Sequence, residues 1–205
     1  MNAPTVREHR ISPLGRFVLV VLAWLPLTFA VWYFAAPILL WPAALVSDWV
    51  SRLGFADLVR AVEQTGASVA FTTTLKPGQA IAGGIVTVDV NMLLYSFGLP
   101  LFAALTLAAR EPKRLRTLTI GYVVLVPAVA WGVVADFLKN VAITAGPAIA
   151  SQTGFVAWQR EAIAFAFQFG SLILPAVAPA VLWVALPGRF VAGLRTTRTA
   201  ATVGR

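Results

Sequence analysis

Four stretches of this chain, residues 17–46, 92–109, 118–135 and 162–186, contain no charged side chain. Each approaches or exceeds the roughly 20 residues that an α-helix needs to cross the hydrocarbon core of a bilayer. Inside lipid every backbone N–H and C=O has to be satisfied within the segment, which leaves a helix as the economical solution. The sequence therefore predicts an all-α polytopic membrane protein with about four transmembrane helices, forming a single integral membrane domain over residues 1–205. Composition agrees, with 59% hydrophobic and 12% charged residues, against about 25% charged in soluble domains. The first apolar stretch is too long for a signal-peptide core and no A-x-A-like cleavage site follows it, so this span is expected to remain in the chain.

The net charge is +8, and its distribution decides what it means. Arg7, Arg10 and Arg16 precede the first span, Arg110, Lys113, Arg114 and Arg116 separate the second from the third, and Arg189, Arg195, Arg198 and Arg205 follow the fourth. Only Glu8 and Glu111 oppose these 11 basic residues. The other side holds Arg52, Arg60, Lys76, Lys139 and Arg160 against Asp48, Asp57, Glu63, Asp89, Asp136 and Glu161. Positive flanks stay in the cytoplasm, so both termini and the 110–116 loop are expected there. No basic face with interleaved aromatics is present, which argues against a nucleic-acid partner. The chain has no cysteine and one histidine, His9, in its polar N-terminal tail. That composition removes disulfides, thiol nucleophiles and thiolate metal sites; no metal, cofactor or catalytic residue is expected.

Residues 48–91 read as an extracytoplasmic lid. Val46, Trp49, Val50 and Leu53 repeat at helical spacing, and so do Phe55, Leu58, Val59 and Val62. The second set begins about 180° round from the first at 100° per residue, so a break is expected at Gly54. The picture is an amphipathic helix that leaves the membrane and turns along its surface, with Arg52, Arg60 and Glu63 towards water. Residues 68–75 and 81–90 alternate with period two and are rich in β-branched side chains, with Lys76-Pro77-Gly78-Gln79 as the turn between them. This predicts a β-hairpin. A lone hairpin is marginal in water, and the 55–62 segment is the nearest surface for it to pack on. Residues 141–150 are apolar but short for a span and are expected to be re-entrant or interfacial. Counting them as a fifth span would put the basic C-terminal tail outside.

Polar residues gather at the span ends on that same side: Asp89, Asn91 and Tyr95; Asp136, Lys139 and Asn140; Arg160, Glu161 and Gln168. Ionisable groups at the edge of a bilayer are costly unless paired, which makes them candidates for a binding site. Simpler roles stand beside that reading. Asp136 and Lys139 sit at i, i+3 and pair on one helix face, Asn91 is placed to cap a helix, and Arg160-Glu161 can anchor the headgroup region with Trp158. Gln168 lies about two turns into the fourth span, where its amide is expected to find a partner on another helix. Every span contains proline. Kinked helices suit a small transporter or channel-like protein, although no charge lies at a midplane. A membrane-embedded hydrolase is the other alternative, and it requires Asp89, Asp136 and Glu161 to converge.

The stretches WLPLTFAVWYFAAPILLWP (24–42), VDVNMLLYSFGLPL (88–101), VPAVAWGVVADFLKNVA (126–142) and WQREAIAFAFQFGSLILPAVAP (158–179) resemble the exosortase H-associated membrane proteins, accessory proteins of a bacterial protein-sorting system. The resemblance implies a multi-pass protein of the bacterial inner membrane whose partners are an exosortase, the sorted substrate proteins, or both. An exosortase is a membrane cysteine transpeptidase that uses Cys, Arg and His; a chain without cysteine is its companion, not the sortase. On this reading the nine polar residues are partner- or peptide-binding candidates, and an exposed strand edge in the lid suits recruitment of an extended peptide.

Overall fold

A computed structural model describes residues 12–77, 84–109 and 113–186. Helix α1 (Pro13–Leu39) starts at Ser12, whose hydroxyl accepts the Gly15 N–H at 3.1 Å. It ends before Pro42, which has no N–H to return to the helix. Two carbonyls at this end are met by side chains from elsewhere: Gln64 Nε2 donates to Pro37 O at 2.9 Å and the Tyr122 hydroxyl to Leu39 O at 2.7 Å. The chain therefore turns at Leu40, not after residue 46. Helix α2 (Trp41–Gly54) follows and ends at Gly54, where the sequence places the break.

Of the apolar stripe on α2, Val46 and Val50 pack against the core, while the most buried face is lined by small residues. Ala43, Ala44, Ser47 and Ser51 are buried, while Trp49 and Leu53 are 65% and 68% exposed. In lipid the hydrophobic effect does not decide which face is buried; small residues that allow close approach do. This stripe packs on α5 (Arg114–Lys139).

Residues 55–62 are not a surface helix. After Gly54 the chain turns and enters β1 (Val59–Thr65), which pairs antiparallel with β2 (Ser68–Thr73) through a two-residue turn holding Gly66 at φ 61°. A left-handed residue at that position is what a tight hairpin requires. The β-branched Val59, Val62 and Thr65, paired along β2, outweigh the helical spacing of four apolar residues. The expected pairing of the next two segments is present: β2 and β3 (Thr87–Asn91) are antiparallel, giving the order β1-β2-β3. The predicted hairpin is thus two strands of a three-stranded sheet. Gly78 and Gln79 of the predicted turn, and 81–83 of the predicted strand, lie outside the described residues.

From β3 the chain runs into α3 (Leu93–Ser96) and α4 (Gly98–Ala108), an apolar helical stretch shorter than a span. Helix α5 continues through a π turn, Asn140–Thr144, then comes short α6 (Pro147–Ala150) and a single 3₁₀ turn. Helix α7 (Ala157–Gln168) passes through a second π turn, Phe169–Ile173, into α8 (Leu174–Ala185). The described residues are thus mostly helical, and three helical stretches are long and apolar enough to cross a membrane: Pro13–Leu39, Arg114–Thr144 and Ala157–Ala185.

The sheet sits on one end of this bundle. Phe71 of β2 stacks on Phe137 of α5 with centroids 4.4 Å apart, and both are fully buried. Val69, Val90, Met92 and Tyr95 join the same core as Ala36, Leu40, Val133 and Val141. Gln152 ties the far side down, since its amide bonds both the N–H (3.0 Å) and the C=O (2.9 Å) of Lys76. A smaller core around Val21, Ala104 and Ala108 joins α1 to α4.

Candidate functional site

Asp136 is the centre of the polar cluster. It lies near the end of α5 with 8% exposure, so protein groups have to meet its charge. Lys139 Nζ lies 2.7 Å away one turn on, and Asn140 Nδ2 donates at 3.0 Å while also bonding the Asp136 main-chain oxygen at 2.9 Å. From α3, the Tyr95 side chain comes beside the Asp136 carboxylate and interacts with it. Lys139 has a second contact, its ammonium lying 4.1 Å from the ring centroid of Phe167 on α7. A cation on an aromatic face gains most where water is scarce. The cluster thereby links α3, α5 and α7.

Tyr95 arrives at Asp136 by two local devices. Asn91 Oδ1 accepts the Leu93 N–H at 3.0 Å, an Asx-type bond that closes the turn from strand to helix, although the N-cap of α3 is Met92 and not Asn91 as expected. Gly132 then makes room, because any Cβ there would collide with the Tyr95 ring. Gly170 comes onto Gly132 from the second π turn, where its own Cβ would sit 3.0 Å from the Gly132 Cα.

The other candidates lie apart from this cluster. Asp89, Asn91, Glu161 and Gln168 are exposed. Arg160 is half-buried, with Nη2 3.5 Å from the Ala150 carbonyl and Nε buried without a hydrogen-bond partner. The Gln168 amide makes no hydrogen bond to another helix among the described residues, contrary to expectation. Trp131 supplies the inter-helix bond instead, its indole N–H donating to Ala166 O at 3.1 Å. The ladder tightens where the π turn begins, with the Phe169 N–H shared between Ala166 O and Phe165 O, and the indole adds a second donor to Ala166 O. Among the described residues no group of three or more histidine, cysteine, aspartate or glutamate side chains is placed to hold a metal ion.

Sequence reasoning passed over Gly132, Phe167 and Trp131. Gly132 carried a signal, since glycine inside a helix costs about 1 kcal/mol relative to alanine and asks for a packing reason. Two clefts open between the packed elements. One of about 360 Å³ lies between the α2–β1 junction and residues 152–155, with Asp57, Thr74 and Gln152 among its polar lining. The other, about 430 Å³ and apolar, lies between Val46 and Val50 of α2, Trp131 and Val134 of α5, and Ile163 of α7.

No curated protein and no solved structure gives a significant match to the chain. A family model does, described as exosortase H-associated membrane protein and matching residues 11–190. That stretch takes in the helices, the sheet and the cluster around Asp136, and the chain belongs to the exosortase H-associated membrane protein family.

Proposed function

We propose that this protein is a non-catalytic accessory of the bacterial inner membrane that partners an exosortase-type transpeptidase in sorting exported proteins. The observation that carries the reading is the family match over residues 11–190, whose name associates the family with an exosortase. Two features of the chain support it. It has no cysteine, so it brings no thiol nucleophile of its own, and the one buried carboxylate among the described residues, Asp136, is engaged by Lys139 and Asn140 in a structural network.

In this reading the chain crosses the bilayer four times, with Leu93–Ala108 as the short span, and both termini are cytoplasmic. The 11-to-5 division of basic residues supports that orientation. The sheet then lies on the extracytoplasmic side, and residues 141–157 lie at that interface. Asp89, Asn91, Glu161 and Gln168 are the exposed members of the candidate set and face the partner. Tyr95, Asp136, Lys139 and Asn140, with Arg160 nearby in sequence to the α7 start, hold the surface that presents them.

Affinity-tagged chain extracted in mild detergent is the test. A stable complex with an exosortase, in cells that express both, is the expected result. The reading falls if the chain purifies alone and its deletion leaves sorting unchanged.

A further inference from the structure

Strand β3 has one bare side. Two backbone bonds at the ends of its ladder fix the phase: Met92 N donates to Ala67 O, and Thr73 N to Val86 O, both at 3.0 Å. In an antiparallel pair, residues that exchange bonds with the partner alternate with residues that exchange none. Given the register Val69↔Val90 and Phe71↔Val88, Val88 and Val90 bond to β2. Thr87, Asp89 and Asn91 therefore direct their N–H and C=O groups away from the sheet. Among the described residues nothing else bonds those groups, and all three side chains are exposed.

The opposite edge is treated differently. Strand β1 packs on α2, has a register shift between Val59 and Ala61, and sends the Gln64 side chain to the end of α1. Covering elements and bulges are the usual ways a protein blunts a sheet edge. Strand β3 has no bulge, proline or lysine. Its one charge is Asp89, which has no ion pair among the described residues.

We propose that the free edge of β3 is a docking strand for an extended polypeptide segment with a basic side chain, which adds as a fourth strand and sets that side chain opposite Asp89. Main-chain bonds to Thr87, Asp89 and Asn91 supply affinity, and the carboxylate supplies selection. A second copy of this chain is the poorer occupant. Antiparallel self-pairing that uses all three residues centres on Asp89 and places two carboxylates face to face, which is destabilising. The biological setting rests on the accessory reading; the strand geometry does not.

The test uses the full chain in lipid nanodiscs, with amide exchange followed by NMR. The probe is a blocked five-residue peptide of alternating threonine and valine with a central lysine, and the control has glutamate in its place. In the free protein the amides of Thr87, Asp89 and Asn91 should exchange fast and those of Val88 and Val90 slowly. Saturating lysine peptide should slow the first three by roughly tenfold or more, and the glutamate peptide should not. Asp89→Lys should reverse that preference. Asp89→Pro removes one outward N–H without breaking a bond to β2, so it should abolish the peptide effect while Val88 and Val90 stay slow; if this variant unfolds the sheet, the charge reversal still decides. Fast amides that the lysine peptide leaves unchanged would overturn the proposal, and so would amides already slow in the free protein, which means an edge already covered. Failure here with an intact exosortase complex removes the docking strand alone, whereas loss of the complex with a working peptide effect removes the accessory reading alone.

Discussion

The ring of Tyr95 rests against Gly132, one helical turn before Asp136, the carboxylate with which the tyrosine interacts. A single position thus decides whether α3 can reach the buried carboxylate. Gly132→Ala improves helix propensity, yet it pushes the ring out of its seat. The expected net loss is about 1–3 kcal/mol, as for other overpacked sites. Tyr95→Phe keeps the ring in its seat and removes only the hydroxyl, so it should cost less than Gly132→Ala. Denaturation in detergent measures both, and a Gly132→Ala protein as stable as the parent would refute the contact.

Asp136 and Lys139 form a pair that is dangerous to half-dismantle. Asp136→Ala leaves an ammonium that is only about a quarter exposed with no counter-charge. The expected cost is about 3 kcal/mol, the low end for a buried pair because some water still reaches Lys139. Removing both charges, with Asp136→Asn and Lys139→Met, should recover most of that loss, since apolar replacements of whole buried pairs are often close to neutral. The same denaturation series reads the outcome. Equal destabilisation of the single and double variants would show that the charges are not coupled.

What the sequence discloses about this molecule follows the length scale of the interactions. Charge-free stretches locate apolar helices because lipid demands local satisfaction of the backbone, and α5 and α7–α8 fall where expected. Asp136 and Lys139 pair as their i, i+3 spacing suggests. The turn at Leu40 depends on donors from Gln64 and Tyr122, 27 and 83 residues away, and no local pattern reveals those. Periodicity at 46–53 reads the packed face of α2 only in part, since Val46 and Val50 pack against the core while Trp49 and Leu53 turn outward. At 55–62 a genuine helical spacing yields to strand pairing fixed by the turn at Gly66. Tyr95 and Asp136 were both visible as candidates, but the glycine that joins them was not.

The sheet depends on Phe71. Its ring stacks on Phe137, and both are fully buried, so this contact fastens three short strands to a helix of the bundle. Phe71→Ala should cost about 3–5 kcal/mol. The loss should be local, with Val69, Phe71 and Val88 amides exchanging much faster while those of α5 stay protected. Uniform acceleration through the helices would mean the sheet and bundle unfold as one unit.

The orientation can be tested cleanly because the chain has no cysteine. Thr73 is unsuitable for labelling, being 1% exposed with its hydroxyl bonded to Val86 O. Glu63 on β1 is exposed. Single cysteines at Glu63 and Arg198 are expected to react with an impermeant reagent from opposite faces of the membrane. Reaction from the same face would remove the four-span arrangement and the extracytoplasmic sheet with it.

Buried and exposed members of the candidate set should separate in cells. Asp136→Ala strips charge from the cluster that links three helices, so it should lower the amount of protein in the membrane and, through that, sorting. Asp89→Asn and Glu161→Gln change exposed carboxylates, and surface substitutions of this kind usually shift stability by no more than about 0.5 kcal/mol. Their abundance should match the parent. If these positions meet the partner, the double variant should recover several-fold less exosortase in the detergent extract and slow the sorting of exported proteins. Normal recovery and normal sorting at full abundance would move the contact surface elsewhere, leaving Asp89 and Glu161 as ordinary solvent-facing charges at the membrane boundary.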